Sequence, residues 1–166
     1  MHTMEWIVDG LPIHPLLVHF VVIVVPLAAL CAVLSVLWPA ARHRLGIVTP
    51  LVALAALIAV PITAEAGEAL EEQIAETSLS EAHTEIGGDL LPWAIALFAL
   101  AALQWGWFRF FTGDGRWAGR VTSATVSRVI SIVLIVAVVA VGIGSVVEIV
   151  LIGESGARAV WDSRLG

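Results

Sequence analysis

Three histidines and two glutamates are the side chains of this sequence best suited to binding a metal or a cofactor. They are His14, His19, His83, Glu148 and Glu154. Imidazole nitrogens ligate haem iron, zinc and copper, and a carboxylate can complete a zinc or copper site. Each of the five lies inside or beside a long apolar run, where a titratable side chain is costly and usually has a partner. Whether they act together depends on the helices that contain them.

The composition is that of an integral membrane protein. Apolar residues make up 60% of the 166 positions and charged residues only 13%, about half the share found in soluble domains. Four apolar runs are each long enough to cross a hydrocarbon core of about 30 Å as a helix. They predict helices at about residues 16–37, 47–70, 80–111 and 126–152. Because most connections are short, we expect an all-α, integral membrane four-helix bundle that forms a single domain over residues 1–166.

The first histidine pair lies where the first apolar run begins. Proline tolerates the first turn of a helix, so Pro15 is predicted as the first helical position and His14 as the residue that caps it. His19 then lies just over one turn inside the helix. The two imidazoles are at different helical angles, which favours His19 as the ligand and gives His14 a capping or supporting role.

The third histidine follows a capping-box pattern formed by Ser78 and Glu81, which predicts a helix start near residue 79. His83 shares a helix face with Ile86 and Leu90, so it points into the bundle if these apolar residues do. The alternative is a surface histidine on a polar loop, and periodicity does not decide between the two.

The two glutamates belong to the last apolar run and its end. Glu148 is the only acid inside a membrane run, and it shares a face with Ser145. A histidine, an arginine or a cation could offset the cost of burying it, although its carboxylate could instead reach water at the helix end. Glu154 lies in a glycine-punctuated segment, Gly153 to Trp161, that is predicted to leave the membrane.

Arginines set the predicted orientation, because the chain contains no lysine. The two loops predicted to be cytoplasmic contain Arg42, Arg44, Arg109, Arg116, Arg120 and Arg128. By the positive-inside rule, both chain termini and the acidic connection between the second and third runs then face outward. The five candidate ligands fall on that outer side. The net charge of −6 gives no support to a nucleic-acid partner.

The sequence offers little that would indicate an enzyme. It shows no nucleophile with a base at a recognisable spacing, no glycine-rich phosphate loop after a strand and no acid pair typical of hydrolases. Cys31 is the single cysteine, so no disulfide or Cys-x-x-Cys motif is expected. The acidic N-terminus lacks the basic leading region of a signal peptide, and we expect the first helix to stay in the mature protein.

Three segments of the chain together form a recognisable set. They are Leu11-Pro12-Ile13-His14-Pro15 with Val18-His19-Phe20, then His83-Thr84-Glu85-Ile86-Gly87, and Gly153-Glu154-Ser155-Gly156-Ala157-Arg158-Ala159-Val160-Trp161. This set resembles the bacterial four-helix membrane proteins grouped as domain of unknown function 2231. The resemblance implies four transmembrane helices in a bacterial plasma membrane and no established activity. Relatives often have histidine in the last segment at the position of Glu154.

Three functional hypotheses follow. The first is a b-type haem held by His19 and His83, with His14 as a supporting or alternative ligand, which would transfer electrons at the outer face. The second is a zinc or copper site formed by the three histidines and a carboxylate of Glu148 or Glu154. The third has no cofactor, and a buried polar network fixes the packing of a membrane assembly or partner protein. The expected partners are the lipid bilayer and redox or other membrane proteins.

Overall fold

The computed structural model describes residues 6–8, 11–71 and 78–165. The helices of this part of the chain are α1 (His14–Leu37), α2 (Pro39–Leu45), α3 (Val48–Glu71), α4 (Ser78–Gly88), α5 (Leu90–Gly106) and α6 (Ala124–Leu165). A π-helical turn, Trp107–Phe111, follows α5, and a 3-10 turn, Ala118–Arg120, precedes α6. Before α1, the two-residue strands β1 (Ile7–Val8) and β2 (Leu11–Pro12) pair antiparallel.

Among the described residues, four helical segments are long and apolar enough to cross a membrane. They are His14–Leu37, Val48–Glu71, His83–Phe111 and Ala124–Arg158. Helix α1 packs against α3 and α6, and α5 packs against the same two helices, while α4 lies against α6 and α3. The helical membrane architecture predicted from the sequence is therefore confirmed.

Prolines explain where the first helices begin and end. Helix α1 starts at His14, one position earlier than predicted, with Pro15 in its first turn. Pro39 opens α2, and Trp38 before it has an extended backbone (φ −126°, ψ 106°), as expected of a residue that precedes proline. The chain then reverses at Gly46, whose positive φ of 46° suits glycine.

The third predicted helix is divided near its start. Helix α4 ends at Gly88 and α5 begins at Leu90, with Asp89 between them. Pro92 lies in the first turn of α5, where the lack of a backbone N–H costs little. In a continuous helix, Pro92 could not donate a hydrogen bond to the carbonyl of Gly88, four residues earlier. The break between α4 and α5 lies at this point.

Helix α6 continues well past the predicted exit at residue 152. It runs to Leu165 through Gly153 and Gly156, because glycine weakens a helix without ending it. On its exposed face Arg158 pairs with Glu154 one turn earlier, an arrangement that supports a helix. The segment that resembles the family's last motif is therefore helical.

Small residues line the contacts between the helices. Ala28 and Ala32 of α1, Ala56 of α3 and Ala94 of α5 are fully buried. Lipid offers helices no hydrophobic drive to associate, so close approach of backbones is what stabilises such a bundle. Ala53 and Ala59 of α3 are buried as well, so α3 presents small residues to its neighbours along much of its length.

The antiparallel arrangement gives the bundle two distinct ends. We call the end that contains His14, Glu71 and His83 the histidine end, and the end that contains Arg42 and Gln104 the arginine end. Contacts define both: His14 hydrogen-bonds to α3 at Thr63, whereas Gln104 hydrogen-bonds to the last part of α1 at Ala32. Each end contains a cavity.

Gly144 allows the indole of Trp93 to pack against α6. A Cβ atom at this position would lie 2.0 Å from Cζ3 of Trp93, a distance at which the ring must move. We predict that Gly144→Ala lowers the free energy of unfolding by about 1 to 3 kcal/mol, the usual cost of overpacking. Thermal unfolding in detergent, followed by circular dichroism, measures the effect.

Gly153→Ala is the matched control in the same helix. No atom lies within 4 Å of a Cβ at Gly153, so this substitution should leave stability unchanged or raise it by about 0.5 to 1 kcal/mol. Equal melting temperatures for the two variants would contradict the close contact between Trp93 and Gly144.

Candidate cofactor site at the histidine end

A cavity of about 590 Å³ lies at the histidine end between α1, α3, α4 and α6. Its wall is mostly apolar, with aliphatic side chains such as Val18, Val60, Leu90 and Ile152. His14 and His83 both line it, from α1 and α4. The two histidines therefore share one cavity although 69 positions separate them in the sequence.

His14 is held in one orientation by helix α3. Its Nδ1 lies 3.0 Å from the carbonyl oxygen of Thr63, and because a carbonyl only accepts, Nδ1 is the protonated nitrogen and Nε2 keeps its lone pair. The ring lies against Gly67, where a Cβ atom would be 2.9 Å from Cε1 of His14. His14 makes no helix cap with its side chain; it is half-buried and contacts α3 instead.

His83 is held in the same way by helix α6. The hydroxyl of Ser155 donates to the carbonyl oxygen of Ile152 at 2.8 Å, so its oxygen accepts from Nδ1 of His83, also at 2.8 Å. The ring lies against Gly156, where a Cβ atom would be 2.9 Å from Cε1. His83 is half-buried, and its Nε2 again keeps the lone pair.

His19 has a different environment. It borders the cavity, but its side chain is exposed and its Nδ1 bonds to the carbonyl oxygen of Pro15 within its own helix. No other helix fixes it. Of the two histidines of α1, it is thus His14 that a neighbouring helix orients, while His19 is exposed and bonds within its own helix.

The two glutamates predicted as candidate ligands do not line the cavity. Glu154 is exposed and pairs with Arg158, the two side chains being 54% and 64% exposed. Glu148 is partly buried on α6. Their place in the cavity wall is taken by Glu68 and Glu71 of α3.

Glu71 was not among the residues singled out from the sequence. Its Oε1 is buried and has no hydrogen-bond partner in the described part of the chain. His14 and Glu71 both lie close enough to His83 to interact with it electrostatically. The pattern that could have indicated Glu71 is the spacing of Thr63, Gly67 and Glu71 four residues apart, which places them along one face of α3.

The described residues contain no group of three or more histidine, cysteine, aspartate or glutamate side chains arranged to hold a metal ion. What the fold brings together is a pair of histidines with free Nε2 atoms, one nearby carboxylate and a cavity much larger than an ion.

Comparisons with curated proteins and with solved structures find no match. The family model described as "Predicted membrane protein (DUF2231)" matches residues 10–166, which include all of the candidate site. The resemblance seen in the sequence motifs is confirmed, and the chain belongs to the DUF2231 family of predicted membrane proteins.

Proposed function

We propose that the histidine end binds a b-type haem, which Nε2 of His14 and Nε2 of His83 would hold, and that the protein transfers electrons within the membrane. The observation that supports this most is that the two imidazoles have the same hydrogen-bonding arrangement. Each donates its Nδ1 hydrogen to a fixed acceptor and keeps its other nitrogen free beside one apolar cavity.

The size and lining of the cavity fit a porphyrin. About 590 Å³ lies within the range of cofactor pockets, which are mostly apolar with a few placed polar groups. Gly87 and Gly153 line the cavity with open space above them, so a planar ring can approach both backbones. Glu68 and Glu71, which also line the cavity, would disfavour the haem carboxylates beside them.

The acceptors behind the histidines have a chemical effect of their own. A hydrogen bond from Nδ1 fixes the ring and raises the basicity of Nε2, the usual arrangement behind an imidazole ligand. Bound haem would supply one-electron redox chemistry, and the chain would supply the two ligands, their orientation and the exclusion of water. Redox-active membrane proteins are the corresponding partners.

His19 stays in the proposal as the competing ligand to His14. Both line the same cavity, but the side chain of His19 is exposed whereas that of His14 is half-buried. The haem hypothesis drawn from the sequence used His19 with His83. The contact of His14 with Thr63 favours His14 because it has already lost its rotational freedom before a ligand arrives.

A second candidate is a zinc or copper ion bound by two side chains, His83 and Glu71, since no three of the described side chains form a metal-binding group. The observation that favours it is the unpaired, buried Oε1 of Glu71 beside His83. An anionic oxygen without a donor is costly in such a place, and a cation would offset that cost. Here Glu71 takes the role that the sequence suggested for Glu148 or Glu154.

For the orientation of the bundle, we propose that the arginine end faces the cytoplasm of a bacterial cell. The connections at that end contain Arg42, Arg44, Arg116 and Arg120. By the positive-inside rule this puts the histidine end, with both chain termini, on the outer face of the plasma membrane. The candidate site would then meet partners outside the cytoplasm.

Haem binding is tested with protein purified in detergent and mixed with hemin. We expect a Soret band with sharp α and β bands after reduction by dithionite, the spectrum of low-spin haem with two imidazoles. His14→Ala and His83→Ala should each remove this spectrum, and added free imidazole should restore it. His43→Ala at the arginine end is the matched control and should leave it unchanged.

Two outcomes would decide against parts of this assignment. An intact spectrum in His14→Ala together with a lost one in His19→Ala would make His19 the ligand. If the folded protein binds neither hemin nor metal, the remaining hypothesis is a buried polar network that has no cofactor. Circular dichroism of each variant separates loss of a ligand from loss of the fold.

The metal candidate predicts a different response to a change at Glu71. After loading with zinc or copper and removal of free metal, elemental analysis should find about one ion per chain, and Glu71→Gln should bind at least tenfold more weakly. Glu154→Gln, on the exposed face of α6, is the control. Equal metal content in both variants would exclude Glu71 as a metal ligand, and a native protein that binds hemin but retains no metal would assign the site to haem alone.

The orientation is tested by labelling single cysteines with a membrane-impermeant maleimide. Cys31→Ala removes the native thiol; Glu85→Cys then marks the histidine end and Thr122→Cys the arginine end. Both positions are exposed. We expect Glu85→Cys to react in intact cells and Thr122→Cys only after lysis, and the opposite pattern would reverse the proposed orientation.

A further inference from the structure

A second cavity, of about 790 Å³, lies at the arginine end of the bundle. Its walls come from the end of α1, from α2, from the start of α3 and from α5 with its π-helical turn. All of its lining residues belong to the described part of the chain. Two of them are incompletely paired within the described chain: Gln104 has an amide oxygen without a hydrogen-bond donor, and Arg42 has a charge without a carboxylate partner.

Gln104 is 1% exposed and lines the floor of this cavity. Its Nε2 donates to the carbonyl oxygen of Ala32 at 3.2 Å, and since that oxygen can only accept, the orientation of the amide is fixed. Its Oε1 is left buried without a hydrogen-bond partner among the described residues. A buried acceptor without a donor is costly, so the position calls for a ligand that donates.

Arg42 supplies a cation to the same cavity. Its Nε donates to the carbonyl of Ser35 at 2.7 Å, its Nη2 donates to that of Val36 at 3.0 Å, and its guanidinium lies 3.5 Å from the centre of the Phe108 ring. No carboxylate of the described chain pairs with it. Burial lowers the pKa of the Arg42 guanidinium, as expected for a desolvated cation whose charge is not balanced.

The mouth of the cavity adds a second cation and one acid. Arg109 and Asp114 both line it and both are exposed. The two arginines favour an anion, and Asp114 lowers the net positive charge at the mouth without cancelling it. The cavity also lies at the end of the membrane spans, where lipid headgroups are found, and basic pockets between helices at this depth bind them.

We propose that this cavity binds a phosphate ester that has a free hydroxyl group. The phosphate would lie between Arg42 and Arg109, and the hydroxyl would donate to Oε1 of Gln104. Two sources offer this chemistry, namely the headgroup of a phosphatidylglycerol lipid and a soluble glycerol phosphate. This site is independent of the one proposed at the histidine end.

Native mass spectrometry of the detergent-solubilised protein tests the proposal with two lipids of equal charge. Phosphatidylglycerol has the free hydroxyl, and phosphatidylethanol lacks it. We expect phosphatidylglycerol to bind about tenfold more tightly, the usual worth of a hydrogen bond to an otherwise unpaired buried group. Gln104→Leu should remove this preference and leave phosphatidylethanol binding unchanged.

The arginine half of the proposal has its own variants. Arg109→Gln should weaken both lipids alike, and Arg120→Gln, outside the cavity, is the matched control. Arg42→Gln should do the same, but Arg42 also binds the end of α1, so Arg109 keeps the test valid if that variant is unstable. Competition by millimolar glycerol 3-phosphate would identify the soluble ester as the source, and its absence would identify the lipid.

Equal binding of the two lipids to the native protein would overturn the role of Gln104. Unchanged lipid binding in Arg109→Gln and in a folded Arg42→Gln would overturn the anion site. Phosphatidylcholine, which is zwitterionic and has no hydroxyl, should bind no more tightly than phosphatidylethanol.

Discussion

The bundle depends on close contact between helix backbones. The surrounding lipid is as apolar as the side chains, so burying those side chains gives no hydrophobic driving force. Lipid tails are as apolar as leucine, so the helices associate through packing and internal hydrogen bonds. Alanine and glycine make that approach possible, as where the indole of Trp93 rests on Gly144. The same approach brings polar groups of different helices within bonding distance, as with Ser35 and Thr49 at 3.0 Å.

Glycine has a second role at the histidine end, where it makes room for imidazole rings. His14 lies against Gly67 of α3 and His83 against Gly156 of α6. In both cases the glycine is near the residue that accepts the Nδ1 hydrogen, Thr63 one turn before Gly67 and Ser155 directly before Gly156. Each neighbouring helix thus supplies both the space and the acceptor that hold a ring in place.

The sequence was sufficient for the membrane class and for the location of the membrane helices, because length and hydropathy determine both. It was less informative about which histidine of α1 is oriented by a neighbour. The helical angle shows that His14 and His19 lie on different sides of α1. Which of the two sides faces a neighbouring helix depends on where α3 packs, and that position is not encoded locally. For the same reason Glu71 was overlooked, since its importance comes from burial beside His83 and not from any local motif.

A network that served only to align helices would account for the hydrogen bonds of His14 and His83, but not for the space beside them. Protein interiors pack densely, and unfilled space loses contacts on every wall. Each end of the bundle has a cavity and a buried oxygen to which none of the described residues donates, Glu71 Oε1 at one end and Gln104 Oε1 at the other. Under the two proposals, a bound ligand would contact the walls of each cavity and pair with its buried oxygen, and helix alignment alone would do neither.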